Sequence, residues 1–287
     1  MKNTLSPIQQ KALELFQYRG KLCHDNDTLE VTVNFHPDRL TRDGHPVLSR
    51  IASDGHLRSQ FERGTGNGGL SAFAGGDRWN WESSAFNGLY DNVPASDRPK
   101  YGALNHRRHG AGASPRFGSS FFTLKSHVLN RTTFCYPESW LGPREYGYAG
   151  AIQHLIDLAD ADDLDTLDNY IEAHIHGNIA IASDVDKLVL DPCYKGTEVE
   201  RAAARLRCNV QWHKGFKLQV SNLNVHTDYR GQQYVALAHN LAENGIITPL
   251  MIGAAVNQKL HDAQDLKKVW HYLARFGNLN QARTTVP

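Results

Sequence analysis

Apolar and polar positions follow two periods along this chain. Between residues 6 and 20, Ile8, Leu13, Leu15 and Phe16 supply a partial apolar face at helical spacing. Ser6 stands at the cap, Pro7 at the first helical position and Gly20 beyond the end, so a helix is predicted there. Thr28 to Phe35 alternates with period two and predicts a strand running into Phe35-His36-Pro37-Asp38-Arg39. Pro46 to Ser53 predicts a short helix stopped by Asp54-Gly55. Residues 117–124 and 131–136 read as strands, the second ended by Pro137, and Ala151 to Asp160 as a helix. A further strand is predicted over 169–177. Its alternation puts Tyr170, Glu172, His174 and His176 on one face and Ile171, Ala173 and Ile175 on the other.

Residues 187–213 read as a β-α-β unit, with Thr197-x-x-Glu200 as a capping box opening a helix through Leu206. From 229 onward helical periodicity dominates, over 229–243, 248–256 and 262–276, the last stopped by Gly277. The pattern predicts an α+β chain. An N-terminal helix in 1–27 packs on a core of 28–225, and a helical part, 226–287, belongs to the same cooperative unit.

Residues 58–120 break the periodicity. They are dense in Gly, Arg, Trp and Asn, as in RSQFERGTGNGGL and GGDRWNWES. Aromatic residues among the glycines favour an ordered loop system over a linker, because linkers are poor in aromatics. The chain has 287 residues, 40% of them hydrophobic, which suffices for a core. Its net charge of +1 argues against a general nucleic-acid binder. No apolar run approaches the roughly 18–20 residues of a membrane span, and the amphipathic start lacks the apolar core of a Sec signal peptide. The four cysteines (Cys23, Cys135, Cys193 and Cys208) stand singly, so reduced thiols are expected.

Fifteen histidines suggest a metal protein at first. His174-x-His176 puts two imidazoles on one strand face, yet no HExxH, CxxC or Asp-rich loop completes a ligand set, and no metal is expected. The GTGNGG run at 64–69 is not a P-loop. Arg58, Arg63, Arg78, Arg107, Arg108, Arg116 and Arg131 accompany it, which suits an anionic ligand such as a pyrophosphate as well as it suits a solvated loop. Glu172 lies mid-strand, where Glu is disfavoured, beside Tyr170 and His174. It is either a surface residue or a cleft carboxylate able to stabilise an oxocarbenium-like transition state. Glu62, Asp77 and Glu82 are available as a second carboxylate for hydrolysis.

The order of these features resembles the ADP-ribosyltransferase superfamily. There, an Arg or His on an early strand, a middle strand with Ser, Thr or Tyr, and a late-strand Glu line one NAD cleft. The runs SQFERGTGNGGLSAFAGGDRWNWES (59–83), RPKYGALNHRR (98–108), PRFGSSFFTL (115–124), RTTFCYPES (131–139) and YIEAHIHG (170–177) look like the CteC-type bacterial effectors, which ADP-ribosylate a threonine of ubiquitin. The resemblance spans about residues 28–280. It implies a split antiparallel β-sandwich with flanking helices, NAD as substrate without a metal, ubiquitin as acceptor, and action in a host cytosol after delivery from the bacterium.

By position, Glu172 would be the catalytic glutamate, and His36 the early-strand NAD-binding residue, with Arg39 and Arg58 as alternatives. Arg58, Ser59, Arg63, Gly64, Gly68 and Gly69 would hold phosphate. Phe117 and Phe134 would stack on nicotinamide, with Gly118, Ser119 and Ser120 in the cleft. Position 170 is Tyr, so the Glu/Gln-x-Glu turn of arginine-modifying relatives is missing and a hydroxyl acceptor is expected, with His174 or His176 as its base. Two rivals stand beside this reading: a metal- or carboxylate-dependent hydrolase using Glu172, His174 and His176, and a non-catalytic interaction module presenting Trp79 and Trp81.

Overall fold

A computed structural model describes residues 5–19, 29–64 and 70–280. The first elements are α1 (Pro7–Arg19), β1 (Val31–Phe35), α2 (Val47–Asp54), β2 (His56–Leu57), α3 (Gln60–Arg63), α4 (Asp77–Ala85) and β3 (Lys100–Leu104). Then come β4 (Ser120–Leu124), β5 (Thr132–Tyr136), β6 (Glu145–Tyr148), α5 (Gln153–Ala161), β7 (Glu172–Ile175), β8 (Ile179–Ala180), α6 (Ile181–Asp184) and β9 (Val185–Leu190). The chain closes with α7 (Glu198–Ala203), β10 (Asn209–Trp212), β11 (Leu218–Gln219), α8 (Gln232–Leu241), β12 (Ile246–Ile247), α9 (Pro249–Asn257) and α10 (Ala263–Phe276).

Eight strands form one hydrogen-bonded ladder in the order β10-β9-β4-β1-β3-β7-β5-β6. Where the resemblance implies two facing sheets, the ladder here is continuous. All pairs are antiparallel except β9 and β10, which run parallel across the α7 crossover, as the β-α-β pattern requires. Thr197 caps α7 by accepting from Val199 N, while Glu200 accepts from Gly196 N rather than closing a capping box; the helix ends at Ala203, short of Leu206. The fold is α+β, with helices on both faces of a mainly antiparallel sheet.

Alternation decides which residues each face presents. Val31, Val33, Phe35, Phe122, Phe134, Ala173 and Ile175 pack against α2, α5 and α7 in the largest core. A fully buried side chain of this size contributes about 1.5–3 kcal/mol. The opposite face carries Thr32, Asn34, Tyr101, Ala103, Glu172 and His174, and two separate layers cover it. Around His174 the cover is Phe16 of α1, Trp81 of α4 and Phe86. Over β1 it is the 111–118 loop. Asn34 Nδ2 donates to Ala111 O (2.8 Å), and Ala113 N donates to Thr32 Oγ1 (2.9 Å). The C-terminal helices α8, α9 and α10 build their own core and clamp this loop, Trp270 Nε1 donating to Pro115 O (3.1 Å) and Arg116 O (3.0 Å). That core also takes Ala111, Leu167 and Phe216, so it draws on the chain well before residue 226.

Three elements, α3, α4 and β3, lie inside the stretch that sequence periodicity leaves as loops. α4 has no apolar stripe because its cover is Trp81 and Ala85 rather than a leucine face. β3 carries Gly102, where a Cβ would stand 2.6 Å from Thr32 O, so glycine is what lets β1 approach.

Candidate active site

Glu172 opens β7 opposite Ala103 of β3, which in turn opposes Thr32 of β1. Early, middle and late strands therefore lie side by side with one face in common. β3, bearing Tyr101, lies between β1 and β7, and β4 flanks β1 on its other side. The residues that β1 presents on this face are Thr32 and Asn34 rather than His36.

Glu172 is buried, 4% exposed, at the seam between the two covering layers. From α4, Arg78 Nη1 stands 3.7 Å from Oε1, its guanidinium stacked 4.2 Å from the Tyr101 ring centroid. From the turn after β5, Ser139 Oγ donates to Oε2 (2.9 Å). His174 Nε2 lies 3.2 Å from Oε1. Burial alone would push the Glu172 carboxyl up. The His174 hydrogen bond, the Arg78 charge and the Ser139 bond outweigh it and hold it below the ordinary carboxylate range.

A single hydrogen-bonded chain supports that carboxylate from below. A carboxylate only accepts, so His174 must donate from Nε2 and accept at Nδ1. Thr133 Oγ1, 3.2 Å from Nδ1, is then the donor to His174 and the acceptor from His176 Nε2 (3.0 Å). His176 Nδ1 accepts from the Tyr90 hydroxyl (2.6 Å). The result is Tyr90 to His176 to Thr133 to His174 to Glu172, with both imidazoles neutral. Burial lowers both histidines, His176 to about 3, so neither takes up a proton near neutrality.

Cys135 Sγ, Glu172 and His174 place ligand atoms within 4.8 Å of one another, a soft-metal donor set that spacing along the sequence does not reveal. One feature opposes a cation there: Arg78 already brings positive charge to Glu172.

Beyond Ser139 the site continues to Glu138. Its Oε2 accepts from Trp140 N (2.9 Å), and its Oε1 stands 3.6 Å from Arg116, which pairs with Asp168 at 2.7 Å. Burial and the Glu172 charge push the Glu138 carboxyl up, so two neighbouring carboxyls are driven apart. Tyr170 faces Glu138, and Phe117 packs edge-on to Tyr170 at 5.6 Å. Two buried guanidinium nitrogens here, Arg78 Nη1 and Arg116 Nε, have no hydrogen-bond partner, beside the Glu138–Tyr170 pair. Buried polar atoms rarely go unpaired, so this concentration marks a place built to meet a ligand.

The other sequence candidates lie elsewhere. His36 packs 4.7 Å from the Trp270 ring beneath α10, and Arg39 donates to Ile252 O (3.2 Å). Ser59 caps α3, accepting from Glu62 N and donating to Ala95 O (2.6 Å); Gly64 ends that helix with φ +55°. Arg58 pairs with Asp54 (2.7 Å), and with Arg63 it lines a cavity on the opposite sheet face. Ser119 Oγ lies 3.1 Å from Tyr194 Oη, and Ser120 Oγ accepts from Asp191 N. Gly118 packs on the Phe35 backbone. Phe134 faces the large core and cannot stack on a ligand beside Glu172. His174 and His176 have both ring nitrogens engaged in the chain beneath Glu172, which leaves no free nitrogen to act as base for an incoming hydroxyl. Gly68 and Gly69 lie outside the described residues, as does Cys23; Cys135, Cys193 and Cys208 are free thiols. Glu138, Ser139 and Tyr101 escape sequence reading. The one available signal, Arg78 four residues before Glu82 behind Asp77, is an amphipathic turn hidden among glycines.

The chain belongs to the family described as "Protein of unknown function (DUF3626)", which it matches over residues 30–159 and 151–276. No curated protein matches it. Among solved structures it is similar to Thermus sp. 2.9 DarT in complex with NAD+, at 12% identity and a TM-score of 0.40, over 67% of this chain and 98% of that one.

Proposed function

We propose that this protein is an NAD-dependent mono-ADP-ribosyltransferase with Glu172 as its catalytic glutamate. The observation that carries the reading is the ionised Glu172, held on a shared strand face beside buried guanidinium nitrogens of Arg78 and Arg116 that lack a hydrogen bond of their own. Anchored from Arg78, Ser139 and His174, its carboxylate is preorganised to receive a ribose hydroxyl and to stabilise positive charge growing on the ribose. The bond from C1′ to the nicotinamide nitrogen breaks, and nicotinamide leaves with the electron pair. An acceptor oxygen bonds to C1′, and its proton passes to Glu138. The raised basicity of Glu138 suits it to that task better than a depressed carboxylate would. Phe117 offers aromatic surface at the rim, backed by the buried Tyr170, and Arg116 offers charge for phosphate.

The acceptor in this reading is a hydroxyl, and the sequence resemblance favours a threonine of ubiquitin. Tyr170, in place of an acidic or amide residue two positions before Glu172, supports a hydroxyl over arginine. The test is intact-mass analysis of ubiquitin after incubation with the protein and NAD. Addition of one ADP-ribose is expected, with Glu172→Gln lowering the rate roughly 10²–10³-fold at unchanged fold. Full activity in Glu172→Gln would refute the site. NAD consumption without ubiquitin modification would refute the acceptor alone.

A further inference from the structure

The sheet face turned away from Glu172 carries a cavity of about 130 Å³. Val33, Phe35 and Phe122 form its apolar floor. Its walls hold five basic side chains (Arg42, Arg50, Arg58, Arg63 and Lys100) against three acidic ones. We propose that this cavity binds a phosphate monoester with an apolar or aromatic body, at a site separate from Glu172.

The acids are already engaged. Asp54 pairs with Arg58 (2.7 Å) and Arg50 (3.8 Å), and Asp43 pairs with Arg50 (3.2 Å). Glu62 Oε2 accepts from Ser59 N (2.7 Å) and closes the cap of α3. Arg63 is left over. No carboxylate of the described residues forms an ion pair with it, and its Nε is buried without an acceptor. Arg42 reaches the same corner, donating to Gly64 O (3.3 Å); a Cβ at Gly64 would overlap its guanidinium. The one carboxylate that acts on the desolvated Arg63 is Glu62, which the α3 cap already engages, so a phosphate oxygen would supply the missing acceptor and further negative charge. The apolar floor calls for more than a bare ion, since hydrocarbon against Val33 and Phe35 adds burial that inorganic phosphate lacks. Glu172 and Val33 point to opposite faces, so one small ligand cannot touch both.

Isothermal titration of the full chain with phenyl phosphate and with inorganic phosphate tests this. Phenyl phosphate is expected to bind more tightly than phosphate, and Arg63→Gln to weaken it by about tenfold or more. Arg42→Gln, at an exposed position that folding tolerates, is expected to act in the same direction, while Glu172→Gln leaves the affinity unchanged. Absence of binding, or binding that neither arginine variant alters, would overturn the proposal. So would a loss of affinity in Glu172→Gln, which would merge the two sites.

Discussion

The Thr133 hydroxyl is the least conspicuous member of the chain beneath Glu172, and the only one joining its two imidazoles. Thr133→Val keeps the shape and removes the junction. His174 Nδ1 and His176 Nε2–H would then be left buried without partners, at a cost of about 1–3 kcal/mol. His174 would also be free to carry its proton on Nδ1, turning an acceptor nitrogen toward Glu172. Nitrogen-15 NMR should show Nε2–H tautomers for both histidines in the wild type and a mixed state for His174 in the variant. Transfer by Thr133→Val should fall in kcat more than in KM, because the carboxylate remains but is no longer oriented. An unchanged tautomer would refute the chain as drawn. Glu172 itself was legible in the sequence, because a glutamate between Tyr and His on an alternating strand is out of place unless a cleft receives it. Arg78, Glu138 and Ser139 were not legible, because their roles come from elements that meet only in space.

At the scale of elements, the 111–118 loop links the strand face to the C-terminal helices. It carries Arg116 and Phe117 toward the site, and Trp270 holds its backbone from α10. Gly118 anchors the other end against Phe35, where a Cβ would fall inside the Phe35 carbonyl group. Gly118→Ala must displace β1 or the loop. It should destabilise the protein by at least about 1–3 kcal/mol, read as a lower urea midpoint, and impair transfer through Arg116 even at permissive temperature. Normal stability in that variant would show that the loop can move without consequence. Strands with alternation (β1, β5, β7) and helices with caps (α2, α10) match their sequence signals closely. β3 and α4 do not, because a glycine-bearing strand and a tryptophan-faced helix lack the periodicity that marks buried elements.

For the whole molecule, buried neutral histidines set the response to acid. Burial lowers His176 to about 3 and His271 to about 2, from an ordinary 6.5. Between those values and 6.5 the unfolded chain binds protons that the folded chain refuses. Stability is therefore fully present above about 6.5 and is lost as pH falls below it. Glu82 and Glu138, pushed up by burial, pull the other way in the range above 4.5. The clean measurement is a difference between two chains. His271 is buried with neither ring nitrogen partnered. His271→Phe should flatten the fall in melting temperature between pH 7 and 5, and should cost little at pH 7. A parallel fall in both proteins would place the acid sensitivity elsewhere. No helix of the described residues is long and apolar enough to cross a membrane.

Local periodicity by itself determined the α+β class, the alternating strand that displays Glu172, and the parallel β-α-β unit, since each depends only on neighbours a few residues away. Which strands lie beside Glu172, which face Arg58 and Arg63 share, and which histidines are buried were decided by tertiary structure. Strand order brings residues 32, 103 and 172 into one row across long intervals of chain, and no short-range pattern encodes that. The fifteen histidines and the arginine-rich stretch looked alike as composition. Packing separated them into a neutral chain under a carboxylate, a charged rim beside it, and an arginine-lined cavity on the far side of the sheet.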